Sequence, residues 1–371
     1  MKRNNALAYL RQLCCSGLSK EIVIPEFLSA VQTLLPSENN TFTGVDEKLK
    51  PVYQITEFGI VDLDGRVPDI KADFFSSESN RRTSDWFIQR PKSDQDSVGD
   101  QLFHSYDLCN LVLRNDQQHH CLYAPILKEY TLVGILNLYR PRQQKSFDNQ
   151  EQALFSRVLP YVAQALKAID QQDIRYCQNG SSGMMILDTQ GKILFLSDEA
   201  KLLLALACHP ILSLDASVFE VDLMAKLVQL CRNLEANFRG QRVTPPSWCH
   251  NGPNGRFLFN AYCLKGENHK SGDLIGITIE HQEPLMLKIL RAMRNLPLSP
   301  TQKEVAMLIT QGISSEKIGE RLHIKPSTVK DHIGKIFTKL DIHHREELLP
   351  KLQALYSSKN YSKERLAKQA D

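Results

Sequence analysis

Between residues 298 and 340 the chain is punctuated for three short helices in close succession. Ser299-Pro300-Thr301-Gln302 sets a capping Ser before a Pro at the first helical position and a Gln at the third, an arrangement that satisfies two free amides of a helix start. Val305, Leu308 and Ile309 follow at helical spacing, and Gly312 supplies the left-handed residue that ends the helix. Ser314 can cap a second helix, with Ile318 and Leu322 one turn apart and Gly319 small enough for another helix to cross closely. About three residues of turn then lead to Pro326, which opens a third helix, the spacing of a helix-turn-helix. Val329, Ile333, Ile336, Phe337 and Leu340 make one stripe of that helix its core face. Away from the stripe stand Ser327, Thr328, Lys330, Asp331, Gly334, Lys335 and Lys339, short polar and cationic groups suited to base edges and phosphates in a major groove. A fourth helix, from about residue 344 to 355, closes the bundle through Leu348, Leu349 and Leu352.

Charge is distributed in keeping with that pattern. Residues 285–371 hold 16 Lys and Arg against 9 Asp and Glu, a surplus of seven, while the 371-residue chain totals +3, so residues 1–284 sum to −4. A basic end on an acidic body suits an anionic polymer, because cations that neutralise phosphates release condensed counterions. A solvated charged face is the alternative that charge alone leaves open.

These residues resemble the LuxR/FixJ-type helix-turn-helix of bacterial transcription regulators. The resemblance runs from Leu298 to about Leu349 and rests on Leu298-Ser299-Pro300, Glu304-Val305, Gly312-Ile313-Ser314, Ile318, Leu322, Thr328-Val329-Lys330, His332, Ile336, Lys339-Leu340 and Arg345. It implies that Thr328, Lys330 and the next exposed turn contact DNA, Lys330 through a phosphate or a guanine edge and Lys335 and Lys339 through the backbone. It also implies that the fourth helix pairs two copies on a two-fold operator. Three positions depart from the family pattern: Lys325 replaces a capping Ser, Lys317 replaces the Glu of a capping box, and Gly334 interrupts a helix interior, at about 1 kcal/mol relative to Ala. Lys317 and Lys325 add positive charge where DNA would lie. Asp331 would repel phosphate or accept from a cytosine amino group.

The acidic body shows two further patterns. Ile24, Phe27, Leu28, Val31, Leu34 and Leu35 predict an amphipathic helix stopping before Pro36. Residues 121–126 and 132–139 are β-rich runs around a Lys128-Glu129-Tyr130 turn, a hairpin, followed from Phe147 by one helix through Leu154, Val158, Tyr161, Val162 and Leu166. This order resembles a GAF domain over residues 19–169. The resemblance places a pocket lid at residues 69–116, where Trp86, Phe87, Phe103, His104 and Tyr106 are candidates to line a small-molecule site, ordinary core being the other reading. From Asp173, a strand at 183–188, a Thr-Gln-Gly turn, a strand at 192–197, a helix, and strands at 256–263 and 274–280 predict an antiparallel sheet that resembles a PAS domain. The Asn-Cys-Arg motif of flavin photoreceptors is absent from it.

Met286, Ile289, Leu290, Met293 and Leu296 mark a linker helix with Lys288, Arg291 and Arg294 outside, its apolar stripe open to its own sheet or to a second chain. The expected organisation is therefore α+β sensor domains, antiparallel sheets with flanking helices, GAF-like over 1–170 and PAS-like over 171–283. A linker helix over 284–297, an all-α four-helix helix-turn-helix domain over 298–356 and a polar tail over 357–371 follow. The expected partners are double-stranded DNA with two-fold symmetry, a small-molecule effector and a second copy of the chain, with RNA polymerase a further candidate. The cysteines form no C-x-x-C pairs, and His119-His120-Cys121 and Cys249-His250 lack a second half at zinc spacing, so no metal or cofactor is expected. The longest apolar run, Leu202 to Cys208, falls short of the roughly 20 residues that span a bilayer. No secretory signal is legible, so the expected location is the cytoplasm, away from membranes. No G-x-S-x-G, Walker loop or H-E-x-x-H is present, so catalysis is not expected. The alternative is an enzyme or scaffold body localised by its basic domain.

Overall fold

The structure, a computed structural model, describes residues 2–46, 51–57, 60–62, 92–93, 118–128, 131–167, 174–177, 181–188, 190–208, 221–238, 246–252, 254–264 and 274–356. Trp86, Phe87, Phe103, His104, Tyr106 and the tail from residue 357 lie outside the described residues. The chain divides into two compact units, one of residues 1–172 with 297–339 and one of residues 173–296 with 340–371.

The first unit opens with α1 (Lys2–Cys14) and α2 (Lys20–Val31). The second of these starts before the expected Ile24 and ends at Val31; the next residues turn, with the amides of Leu34 and Leu35 both bonded to the Val31 carbonyl. Strands β1 (Glu38–Val45), β2 (Pro51–Thr56), β3 (Ile60–Asp62), β4 (Lys92–Ser93), β5 (Gln118–Lys128) and β6 (Thr131–Pro141) form an antiparallel sheet of order β3-β2-β1-β6-β5-β4. The expected hairpin is β5–β6, paired from Gln118 opposite Pro141 to Lys128 opposite Thr131, with its register shifting between Gln118 and His120 and between Ile126 and Leu127.

The single helix expected after Phe147 is two, α3 (Asn149–Ser156) and α4 (Leu159–Ala165). Pro160 stands at the start of the second, where its missing amide costs nothing; within a continuous helix it would remove a backbone bond and clash with the preceding turn. Arg140 pins this corner to the sheet. Its guanidinium pairs with Glu151 at 2.6 Å, donates to the carbonyls of Pro36 and Lys145, and stacks over the Phe147 ring at 3.9 Å. A buried cation whose three nitrogens all donate, and which faces a carboxylate, recovers much of its desolvation cost.

The second unit contains β7 (Ser182–Leu187), β8 (Ile193–Leu196), α5 (Asp198–Ala207), α6 (Val221–Phe238), β9 (Ser247–Gly252), β10 (Gly255–Leu264), β11 (Leu274–Gln282) and α7 (Leu285–Arg294). Its sheet is antiparallel, of order β8-β7-β11-β10-β9. Alternation along the strands sends Met185, Leu187, Phe257, Phe259, Ile275 and Ile277 to one face, packed with Leu203, Leu204, Leu227 and Leu230 of the two helices. The Thr-Gln-Gly turn forms around Asp188, whose carboxylate accepts from the amides of Gln190 and Lys192 while Gly191 adopts φ +85°. Incoming and outgoing segments of this unit are bonded side by side: Cys177 N–H donates to Glu283 O and Leu285 N–H to Arg175 O.

The remaining helices are α8 (Pro300–Thr310), α9 (Ser315–Leu322), α10 (Pro326–Leu340) and, after a 3-10 turn at Arg345–Glu347, α11 (Leu348–Leu355). The linker helix α7 differs from expectation. Lys288 and Arg291, expected outside, are buried together with Leu287, Ile289, Leu290 and Met293. The reason is a counter-charge just ahead of the helix and a hydroxyl far along the chain. Arg291 donates to the Glu283 carboxylate at 2.6 Å and to the Tyr356 hydroxyl at 3.0 Å, and that hydroxyl donates to Glu283 at 3.2 Å. The Lys288 ammonium lies 5.9 Å from the Tyr356 ring centre. The helix thus packs against α11 of its own chain.

Candidate nucleic-acid interface

Local chemistry builds the C-terminal helices where the sequence indicates. Ser299 Oγ accepts from the Gln302 amide at 3.3 Å and the Gln302 side chain accepts from the Ser299 amide at 2.9 Å, a complete capping box ahead of α8. Caps of this kind are each worth about 1 kcal/mol. Gly312 ends the helix region at φ +78°. Ser314 caps α9 through the Lys317 amide at 3.4 Å, with no reciprocal acid because Lys317 occupies that position. The α9 helix stops at His323, itself left-handed at φ +53°. Gly319 gives room, as expected, to the next helix and most tightly to the turn before it: a Cβ there would meet the Ile324 carbonyl at 2.8 Å, and Pro326 N and Val329 Cγ2 of α10 at 3.6 and 3.7 Å.

Helix α10 divides cleanly. Val329, Ile336 and Leu340 are buried and Ile333 and Phe337 half-buried. Ser327, Lys330, Asp331, Gly334, Lys335 and Thr338 are exposed and recur at i, i+3, i+4, i+7, i+8 and i+11, one continuous stripe. Lys325, at the head of the helix, is exposed beside it.

Of the expected contact residues, Ser327, Lys330, Asp331, Gly334 and Lys335 come together on this stripe, whereas Thr328 is half-buried at its border. Lys339 is engaged elsewhere. Its ammonium donates to Pro297 O at 2.7 Å and to Gln302 Oε1 at 2.9 Å, tying the end of α10 to the capping box that opens α8. Thr338 was not singled out from the sequence, although it stands one turn beyond Gly334, the periodicity that could have found it. Its hydroxyl donates to the Gly334 carbonyl at 3.0 Å.

Two contacts bear on these helices from outside the helix-turn-helix. Within the first unit, Arg11 of α1 pairs with Glu304 of α8, and the Gln12 amide group donates to Pro300 O at 3.3 Å. Within the second unit, Tyr356 closes α11 onto the Glu283–Arg291 pair. Nearby, the buried His281 ring stacks on Phe257 at 4.8 Å and its Nε2 meets Asn254 O at 2.7 Å, so opposite a carbonyl this nitrogen carries the proton. Burial pushes the imidazole below its ordinary range, against the pull of Glu283. Among the described residues no group of three or more His, Cys, Asp or Glu is placed to hold a metal ion, and no helix is long and apolar enough to cross a membrane.

Comparison with known proteins adds names to this geometry. Residues 296–351 match the luxR family of bacterial regulatory proteins, and residues 77–166 match the GAF domain. The HTH-type transcriptional regulator MalT of Yersinia pestis is 32% identical over 68 residues, 18% of this chain and 8% of that protein. A Mycobacterium tuberculosis protein described as "Putative HTH-type transcriptional regulator Rv0890c" is 35% identical over 52 residues, 14% of this chain and 6% of that protein. The chain therefore spans only 6–8% of the length of these curated relatives. Among solved structures, the VqmA dimer of Vibrio cholerae, a LuxR-type receptor, is 14% identical over 46% of this chain and 81% of that one at a TM-score of 0.20, too low for anything about this chain to follow from it. The helices of residues 296–351 are a luxR-family regulatory domain, and the chain carries a GAF domain over residues 77–166.

Proposed function

We propose that this protein is a sequence-specific DNA-binding transcriptional regulator whose N-terminal domains sense a ligand or partner and set DNA binding by the C-terminal helix-turn-helix. The observation that carries this reading is the exposed stripe of α10, short and cationic, opposite a buried apolar one. Such a helix presents donors to base edges while its other face holds it rigidly. Lys330 and Lys335 meet the duplex on this reading, with Lys325 at the entrance, Ser327 and Thr328 at the first turn, and Asp331 facing a cytosine amino group or held off phosphate. Lys339 serves the fold.

On the same reading the operator is two-fold and the binding form a homodimer, the second unit is a PAS-like sensor, RNA polymerase is the downstream partner and the protein works in the cytoplasm. The five-stranded antiparallel sheet with helices between its second and third strands supports the PAS-like assignment. Sensing has a physical route, since α1 grips α8 through Arg11 and α7 grips α11 through Arg291. The test is a selection of random duplex DNA by the full-length protein at near-physiological salt. Enrichment of a symmetric site with half-sites about one helical turn apart supports the proposal. Binding without any enriched sequence overturns it in favour of a body merely localised by its basic end.

A further inference from the structure

Three glycines lie in the helix-turn-helix, and the fold explains two of them. Gly312 is left-handed, and Gly319 stands against the Ile324 carbonyl. Gly334 is different: it lies inside the 15-residue α10 with no positive φ, and a Cβ built on it would meet nothing within 4 Å. Glycine is the least favourable residue in a helix interior after proline, and nothing in the chain's own packing asks for it here.

Its surroundings point outward. Lys330 and Asp331 flank it one turn before, Lys335 follows it, and Thr338 is one turn beyond, all exposed. The Thr338 hydroxyl is bonded to the Gly334 carbonyl, so that side chain lies along the backbone. The result is a notch at the centre of a polar stripe. Its floor is the Cα methylene and it offers no free donor, and the carbonyl beside it already accepts from Thr338.

We propose that Gly334 is the point of closest approach between α10 and duplex DNA, and that the notch takes an apolar base edge, the C5-methyl of thymine. The major groove admits a helix, and the thymine methyl is its apolar feature. Bare backbone is the surface that such a methyl can meet without stranding a hydrogen bond. This inference rests on the DNA-binding reading above and adds to it a residue that specifies by lacking a side chain.

The experiment uses the full-length protein, the operator it selects, and the variants Gly334→Ala and Gly334→Ser. Gly334→Ala is expected to raise the thermal midpoint and yet to weaken operator binding tenfold or more, with the salt slope unchanged because no charge is altered. Gly334→Ser should weaken it at least as much. Replacing thymines by uracil one at a time should identify one position per half-site where wild-type binding falls by about threefold to fivefold, the worth of a buried methyl. At that position Gly334→Ala should be indifferent. A Gly334→Ala protein that binds as tightly as wild type overturns the proposal while leaving the DNA-binding reading intact. A uracil series to which wild type is insensitive overturns the thymine assignment. A wild-type protein that selects no sequence overturns both.

Discussion

Replacing Arg291 by alanine removes one charge from a pair that water hardly reaches: the side chains of Arg291 and Glu283 are 8% and 6% exposed. Two hydrogen bonds go with it, to the Glu283 carboxylate at 2.6 Å and the Tyr356 hydroxyl at 3.0 Å. Stranding one member of a buried pair costs about 3–5 kcal/mol, chiefly because the remaining charge stays desolvated. With about 2–4 °C per kcal/mol for a unit of this size, the thermal midpoint should fall by roughly 6–20 °C. The Arg11–Glu304 pair provides an internal standard, since its side chains are 42% and 20% exposed and pairs so wetted contribute about 0–1 kcal/mol. Arg291→Ala and Arg11→Ala would be compared by thermal and urea unfolding of the full chain, with Arg291→Met/Glu283→Leu as the control that removes both charges and should recover most of the loss. An Arg291→Ala cost below about 1 kcal/mol, no larger than that of Arg11→Ala, would refute the reasoning.

The His281 ring is neutral in the fold because burial lowers its affinity for protons, an effect that Arg291 reinforces and Glu283 opposes. The unfolded chain protonates near pH 6.5, so the stability this site contributes is complete above that value and is lost as pH falls below it towards the folded value. His281→Phe, which keeps the stack on Phe257, should flatten the decline in thermal midpoint between pH 7.5 and 5.5; an identical slope would sink the assignment. Lys330→Ala should lower the salt slope of DNA binding by about 1, whereas Lys339→Ala should leave the slope unchanged and reduce stability, and the reverse pattern would exchange their roles. Arg11→Glu and Glu304→Arg should each shift operator affinity in the same direction, and the double exchange should restore it if the α1–α8 contact transmits a signal; unchanged affinity in all three would show that it does not.

What the sequence makes legible is what neighbours in the chain decide. Ser299, Gln302, Gly312, Ser314 and Pro326 act within one turn of themselves, and the helix boundaries follow them closely. The β5–β6 hairpin is equally local. Lys288 and Arg291 have a legible charge, but what buries them is Glu283 and Tyr356, the latter 65 residues beyond Arg291. Helical periodicity therefore assigned them to the outside. Strand β9 carries Trp-Cys-His-Asn on faces that are only half covered, which leaves no apolar alternation to detect. In α10 the stripe was readable because one face is uniformly apolar; the separate engagement of Lys339 depends on a cap 37 residues earlier.

The side-by-side bonding of Arg175–Cys177 with Glu283–Leu285 makes everything between them a topological cassette. A chain can gain, lose or exchange such an insert without displacing the segments that flank it, because both cut ends already touch. Glu283 stays with the flank, so a grafted replacement leaves the cations of α7 and the Tyr356 hydroxyl the anion that holds them. Domain shuffling at this junction thus leaves the Glu283–Arg291 pair intact.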